Sequence, residues 1–220
     1  ISIKDVNEAP TCTSSATFTA DENQTSIGSV TANDVEGNSI TFTISGSELA
    51  ITWVGVLTFV SAPDFETKSN YTATVTANDG VNDTTQTILI SVNDINDAPT
   101  FTSSATFSAK ENQTIAGTVV ATDQDGDALI YTISGSDLSI GSNGEITFKS
   151  APNYEEKDIY TASVNIGDGE FTVSQDISIN ITDVNDIPVI TSNSVFGINE
   201  NTTNILNITV TDEDGDTIYY

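Results

Sequence analysis

Three short acidic segments recur along this chain at a fixed spacing. Asp-Val-Asn-Glu-Ala-Pro occupies residues 5–10, Asp-Ile-Asn-Asp-Ala-Pro residues 94–99 and Asp-Val-Asn-Asp-Ile-Pro residues 183–188, each 89 residues after the last. The same step carries Glu22 to Glu111 to Glu200, each followed by Asn, and Gly37 to Gly126 to Gly215. Carboxylate and amide oxygens are ligands for hard cations. The whole chain has 32 acidic residues against five basic ones, all Lys, for a formal net charge of −27. Two bare carboxylates about 4 Å apart repel by roughly 4 kcal/mol at an effective dielectric of 20. Five lysines cannot balance that. Calcium accepts six to eight oxygens in flexible geometry, whereas magnesium wants a tighter octahedron and keeps water, so calcium is the better fit.

Composition excludes other chemistry. There is no His and no Met, and Cys12 is the lone cysteine. That removes soft metal sites, His-based acid–base catalysis and an internal disulfide framework. Cys12 reads as a small core or strand residue. The acidic balance repels nucleic acid and anionic membranes, and no run of 18 apolar residues could span a bilayer. No secretory leader is visible, so any address signal is expected outside the chain.

The elements that must position these acids follow a period of two. Tyr160, Ala162, Val164 and Ile166 alternate with Thr161, Ser163 and Asn165, as half-buried antiparallel strands require. Asp-Gly, Asn-Asp and Ser-Gly pairs mark the turns. About seven short strands per unit predict an all-β fold, a tandem of immunoglobulin-like seven-stranded Greek-key sandwiches stacked end to end. The 89-residue step divides the chain into the end of a preceding repeat and its linker (1–10), a first repeat (11–99), a second (100–188) and the truncated start of a third (189–220). An odd strand count places the termini of each sandwich at opposite ends.

This reading gives the acids a geometry. Glu22 falls near the end of the first strand, and Asp64 and Glu66 in the loop before the strand over residues 71–77. All three belong at the end of the repeat from which the linker with Asp94, Asn96 and Asp97 leaves. In the second repeat Asp123 and Asp125 lie in an early turn and Asp168 at a late strand end, facing the same linker. An EF-hand is rejected: Gly126 falls at position 4 of such a loop rather than 6, Ser134 at position 12, and no helix flanks it.

Taken together these motifs resemble cadherin repeats over essentially the whole chain. The linker resembles Asp-x-Asn-Asp-x-Pro. Glu22 and Glu111 match the first-strand glutamate, and Pro63-Asp64-Phe65-Glu66 resembles the Leu-Asp-Arg-Glu loop. Asp123-x-Asp125 matches the Asp-x-Asp turn, and Asp79 and Asp168 match the aspartate of Ala-x-Asp-x-Gly. The resemblance implies up to three calcium ions per junction, which stiffen the array for adhesion. It implies that Glu22, Asp64, Glu66, Asp94 and Asp97 hold the two ions nearer the first repeat. Asp125 would bridge to a third, joined by Asn96, Asp123 and Asp168, with main-chain oxygens of Ile95, Ala98 and Asp127 in addition. At the second junction it implies Glu111, Glu155, Asp183, Asn185, Asp186, Asp212 and Asp214. There Asn153 stands where the family has aspartate, Glu156 adds an acid nearby, and no late-strand aspartate follows. That site is expected to be weaker or incomplete. Trp53 is mid-repeat, unlike the swapped N-terminal Trp of vertebrate adhesion cadherins, and is expected to be half-buried in the core.

The function these features predict is a calcium-stiffened stalk or adhesion segment, including homophilic adhesion, in a large cell-surface or secreted, membrane-associated protein outside the cell. The Thr-, Asn- and Ser-rich composition and lack of disulfides suggest a bacterial surface protein. The expected partners are calcium, neighbouring repeats and other surface proteins or glycans. The alternative is a carbohydrate- or protein-binding module. An enzyme is not expected, because the paired acids repeat in every unit and suit metal ligation better than glycoside hydrolysis.

Overall fold

The computed structural model describes residues 1–2, 4–193, 197, 199–201, 203 and 207–219. It divides into two compact units, Ile1–Asn96 and Asp97–Tyr220. Every regular element among the described residues is a β-strand, with no helix long and apolar enough to cross a membrane.

Unit 1 contains β1 (Thr11–Cys12), β2 (Thr17–Asp21), β3 (Ser26–Ser29), β4 (Ala32–Asn33), β5 (Thr41–Ile44), β6 (Leu49–Ile51), β7 (Val56–Phe59), β8 (Asn70–Asn78) and β9 (Asp83–Asn93). One sheet has the order β2-β9-β8-β5 and the facing one β3-β7-β6, with β1 paired to β4. The nine segments are seven strands, two of them interrupted. The first strand splits into β1 and β2, so that β2 crosses over to run parallel to β9, Thr17 opposite Leu89 and Asp21 opposite Asn93. The second strand is broken between β3 and β4. Alternation drives the packing. On β8, Ala73, Val75 and Ala77 are buried while Thr72, Thr74 and Thr76 face outward; on β9, Ile88, Ile90 and Val92 join the core with Leu57 and Phe59 of β7. Fully burying a residue such as Ile88 contributes about 1.5–3 kcal/mol.

Unit 2 repeats the plan with β10 (Thr100–Phe101), β11 (Thr106–Lys110), β12 (Ile115–Thr118), β13 (Ala121–Thr122), β14 (Ile130–Ile133), β15 (Leu138–Ile140), β16 (Glu145–Phe148), β17 (Ile159–Gly167) and β18 (Thr172–Thr182). The sheet orders are β11-β18-β17-β14 and β12-β16-β15. Its core gathers Ile146, Phe148, Val164, Ile166, Ile177, Ile179 and Ile181. Beyond β18, unit 2 carries a short pair, β19 (Val189–Ile190) with β20 (Val210–Thr211); residues 194–196, 198, 202, 204–206 and 220, in the segment expected to start a third repeat, lie outside the described residues.

Two details reveal how closely the units share a scaffold. Lys68 lies over the Tyr71 ring at 4.3 Å and pairs with Glu48; Lys157 lies over Tyr160 at 4.0 Å and pairs with Asp137. At the tip between β6 and β7, Gly55 has φ +93° and its carbonyl accepts from the Val30 N–H at 2.8 Å. Gly144 does the same for Val119 at φ +77°. A Cβ at either glycine would collide with the carbonyl oxygen of Val30 or Val119.

Trp53 corrects the sequence reading. It is 72% exposed, with Val54 beside it at 53%. The tight hairpin between β6 and β7 is held by backbone bonds between Thr52 and Val56 and between Thr52 and Gly55, which leaves its tip residues outside the core. Cys12, by contrast, is partly buried against the unit 1 core.

Candidate functional site

The acids gather at the ends of the sandwiches, where strands hand over to turns and linkers. In unit 2, β11 ends at Lys110 and the next residue, Glu111, is only 3% exposed. One carboxylate oxygen accepts the N–H of Tyr154 and the other that of Val184, both at 2.8 Å. Tyr154 lies in the loop between β16 and β17, and Val184 in the chain leaving β18. Glu111 therefore ties three segments to one point. Asn112 follows it with φ +61°, and its amide donates to Asp186 at 3.0 Å. Around this point carboxylate oxygens of Glu111, Glu155, Asp183 and Asp214 all lie within 4.8 Å of one another, and those of Glu155, Asp186 and Glu213 form an adjoining group. The Asp186 N–H donates to Asp214 Oδ2, while Asp214 Oδ1 is buried with no hydrogen-bond partner.

Electrostatics reflects the crowding. Local desolvation and the Asp214 charge push the Asp183 carboxyl above its ordinary value of 3.8, with Glu111 and Asp186 adding to it. For Glu155 a bond to its own backbone N–H pulls down, but desolvation and the charges of Glu111, Asp214 and Asp183 outweigh it and raise the carboxyl. Like charges close together favour the protonated form.

Unit 1 builds the same anchor. Glu22, 3% exposed, accepts the N–H of Phe65 and that of Ile95, each at 2.8 Å. Its carboxylate, that of Glu66 and that of Asp94 lie within 4.8 Å of one another. Asp64, in the same loop, accepts from the Thr67 N–H at 2.9 Å and its hydroxyl at 3.0 Å. Asn96 closes the unit in the linker beyond β9.

The opposite end of unit 2 holds Asp97, Ala98, Asp123, Asp125, Asp127 and Asp168. Asp125 Oδ2 accepts the Asp97 N–H at 2.7 Å, and Asp123 Oδ1 that of Asp127 at 3.1 Å. Asp168 Oδ1 caps its own turn by accepting from Glu170 and Phe171. Asp123 Oδ2 and Asp125 Oδ1 are buried without partners. Asp212 repeats the local role of Asp123 by accepting from Asp216 at 3.0 Å, and the Asn185 amide donates to the Asp186 carbonyl. Sequence reasoning matched Asp79 to a family aspartate but assigned no site to the corresponding end of unit 1. There Asp79 accepts from the Val81 and Asn82 N–H groups at 2.7 Å and the Asn7 amide at 2.8 Å. The Asn82 backbone bond, with those of Val81 and Asn7, lowers the Asp79 carboxyl. Asn38 donates to Asn7 at 2.6 Å, and Asp34 Oδ2 is buried unpartnered. The signal was available, since Asn7, Asp34 and Asp79 stand 89 residues before Asn96, Asp123 and Asp168. Glu8, in the same linker, is raised by a hydrogen bond from Glu36.

Compared with known proteins, residues 96–180 match the model of the bacterial Ig domain family. The chain aligns over 81% of its length and all of the solved human Protocadherin-24 EC1-2, at TM-score 0.54 and 20% identity. With mouse Cadherin-23 EC22-24 it aligns over 93% of its length and 78% of that chain, at 0.56 and 21%. The fold is that of tandem cadherin-like repeats. Among curated sequences, Chitinase A of Pseudoalteromonas piscicida is 29% identical over 194 residues, 86% of this chain and 24% of that protein. The Fat-like cadherin-related tumor suppressor homolog of Drosophila melanogaster is 32% identical over 108 residues, 44% of this chain and 2% of that protein. The chain thus spans a quarter or less of these relatives.

Calcium is the ion that a cadherin-like fold implies, and the residues fit it. The donors are all hard oxygens, and buried oxygens of Asp34, Asp123, Asp125 and Asp214 lack any hydrogen-bond partner. Leaving a buried charged acceptor unsatisfied is costly, and a divalent cation bound at each of these ends would offset that cost.

Proposed function

We propose that the chain is a calcium-binding, extracellular repeat array, a stiffened stalk or adhesion segment of a larger surface or secreted protein. The observation that carries this reading is the four-carboxylate cluster of Glu111, Glu155, Asp183 and Asp214. A bound calcium supplies the positive charge these groups need. Glu111, fixed by two backbone N–H groups, is a preorganised donor. Asp183 and Asp186 belong to the segment that leaves β18, and Asp214 to the turn after β20. Neutralising them together holds the leaving segment against that turn, which turns a self-repelling hinge into a rigid one. Residues 11–99 and 100–188 are taken as whole repeats, residues 1–10 as the end of a preceding repeat with its linker and residues 189–220 as the start of a third, and no catalytic step is part of this reading. Calorimetric titration of the chain with Ca²⁺, and small-angle scattering with and without chelator, test it. Heat of binding and a stiffer profile with calcium are expected; no heat and identical profiles would sink it.

A second reading is favoured by the exposed Trp53 and Val54 tip and by the similarity to a segment of Chitinase A. It is a polysaccharide-contacting accessory segment. The corresponding tip of unit 2 carries Ser142 and Asn143, so the fold does not require an aromatic there. Retention on chitin that Trp53→Ala abolishes would support this reading; no retention of the parent chain removes it.

A further inference from the structure

The second cluster departs from the first in one exchange. In the first repeat the loop position before Phe65 is Asp64, and the middle of the Asp-x-Asp turn 89 residues before Glu213 is Gln124. One step later the loop carries Asn153 and the turn carries Glu213. Acid and amide have changed places. Within unit 2 the two side chains meet, the Asn153 amide donating to Glu213 Oε2 at 3.1 Å. Carboxylate oxygens of Glu213, Asp186 and Glu155 lie within 4.8 Å of one another. Beside them is Asp214, whose Oδ1 is buried and unpartnered.

We infer that Glu213 replaces the missing loop aspartate as an oxygen ligand, so that the site formed with Glu155 and Asp186 keeps its full negative charge although Asn153 is neutral. This inference rests on the calcium reading above. Asn153 retains a positioning role. Its Oδ1 accepts the Glu156 N–H at 3.0 Å, as Asp64 accepts that of Thr67, and its amide aims Glu213 at the cluster. The sequence alone predicted a second site weakened both by Asn153 and by the lack of a late-strand aspartate; the exchange offsets the first of these.

The exchange also sets a directional expectation for substitutions. Glu213 is exposed and carries no part of the core, so Glu213→Gln is expected to fold normally. Returning the acid to the loop with Asn153→Asp should then restore what the first change removes. Ligand charge count is a main determinant of calcium affinity in oxygen sites.

The test is calorimetric Ca²⁺ titration of the full chain as wild type, Glu213→Gln, the Glu213→Gln/Asn153→Asp pair, and Asp176→Asn as a remote exposed charge control in mid-β18. Melting in excess chelator is measured alongside. Glu213→Gln should weaken one ion by about tenfold or more, in the range that loss of a metal-supporting residue produces, with the chelated melting temperature not lowered. The double variant should recover, and Asp176→Asn should bind as wild type. If Glu213→Gln binds as wild type, or its loss is not recovered by Asn153→Asp, or Asp176→Asn loses as much, the exchange is wrong while the calcium reading stands. If the wild-type chain itself takes up no calcium, the calcium reading fails and this inference with it.

Discussion

Glu22 and Glu111 are the residues on which the sandwich ends depend, and their role does not require a metal. Each is buried and accepts two backbone N–H groups from separate segments. Glu111→Gln turns an acceptor into a donor facing an N–H, and should cost about 1–3 kcal/mol of stability in urea melts run in chelator. Asp183 behaves oppositely. Its carboxyl is raised above 3.8 by desolvation and by Asp214, so the folded state binds more protons than the unfolded one. Stability therefore falls as pH rises from 3.8 through the raised value, and is relieved as pH falls back. Without calcium, Asp183→Asn should be more stable than wild type near neutrality, the gap closing toward acid. With calcium, the same variant should gain less on saturation. Thermal melts at several pH values, with and without chelator, check both signs.

At the scale of elements, the alternation of Val and Ile with Thr and Ser marked β8, β9, β17 and β18 directly, because one face is buried and the other wet. The 89-residue step marked Glu111, Glu155, Asp183 and Asp214, and the fold brings these four together. What the sequence concealed was of three kinds. Trp53 reads as a strand residue because hydrophobicity alone does not distinguish a core position from the tip of a two-sided hairpin; only the Thr52 to Val56 bonding turns it outward. The exchange of Asp64 and Gln124 for Asn153 and Glu213 is invisible position by position, because its sense lies in the two side chains meeting. The interrupted first strand, with β2 parallel to β9, also escaped a count of alternating segments. Gly144 separates strain from steric fit. Gly144→Ala must keep φ near +77° and drive a Cβ into the Val119 carbonyl, and should cost about 1–3 kcal/mol. Gly135→Ala has φ +95° but open space around it, and should cost less in the same denaturant melts.

For the molecule as a whole, the charge of −27 makes stability dependent on the cations around it. Monovalent salt screens such repulsion over about 8–10 Å, whereas a coordinated ion would also satisfy the unpartnered Asp214 oxygen directly. Calcium at a hundred times its dissociation constant should add about 2.7 kcal/mol per independent site, seen as a rise in melting temperature that magnesium at equal ionic strength does not match. Equal rises with the two ions would reduce the effect to screening.

The parallel pairing of β2 with β9, and of β11 with β18, determines what happens when such a chain is pulled from its two termini. The first strand is drawn one way and the last the other, along the line of their shared ladder. All its bonds, from Thr17 against Leu89 to Asp21 against Asn93, are then sheared together, instead of peeling one after another as in a hairpin. Each sandwich is therefore latched against tension by its own chain ends, and single-molecule stretching should meet its main rupture force there.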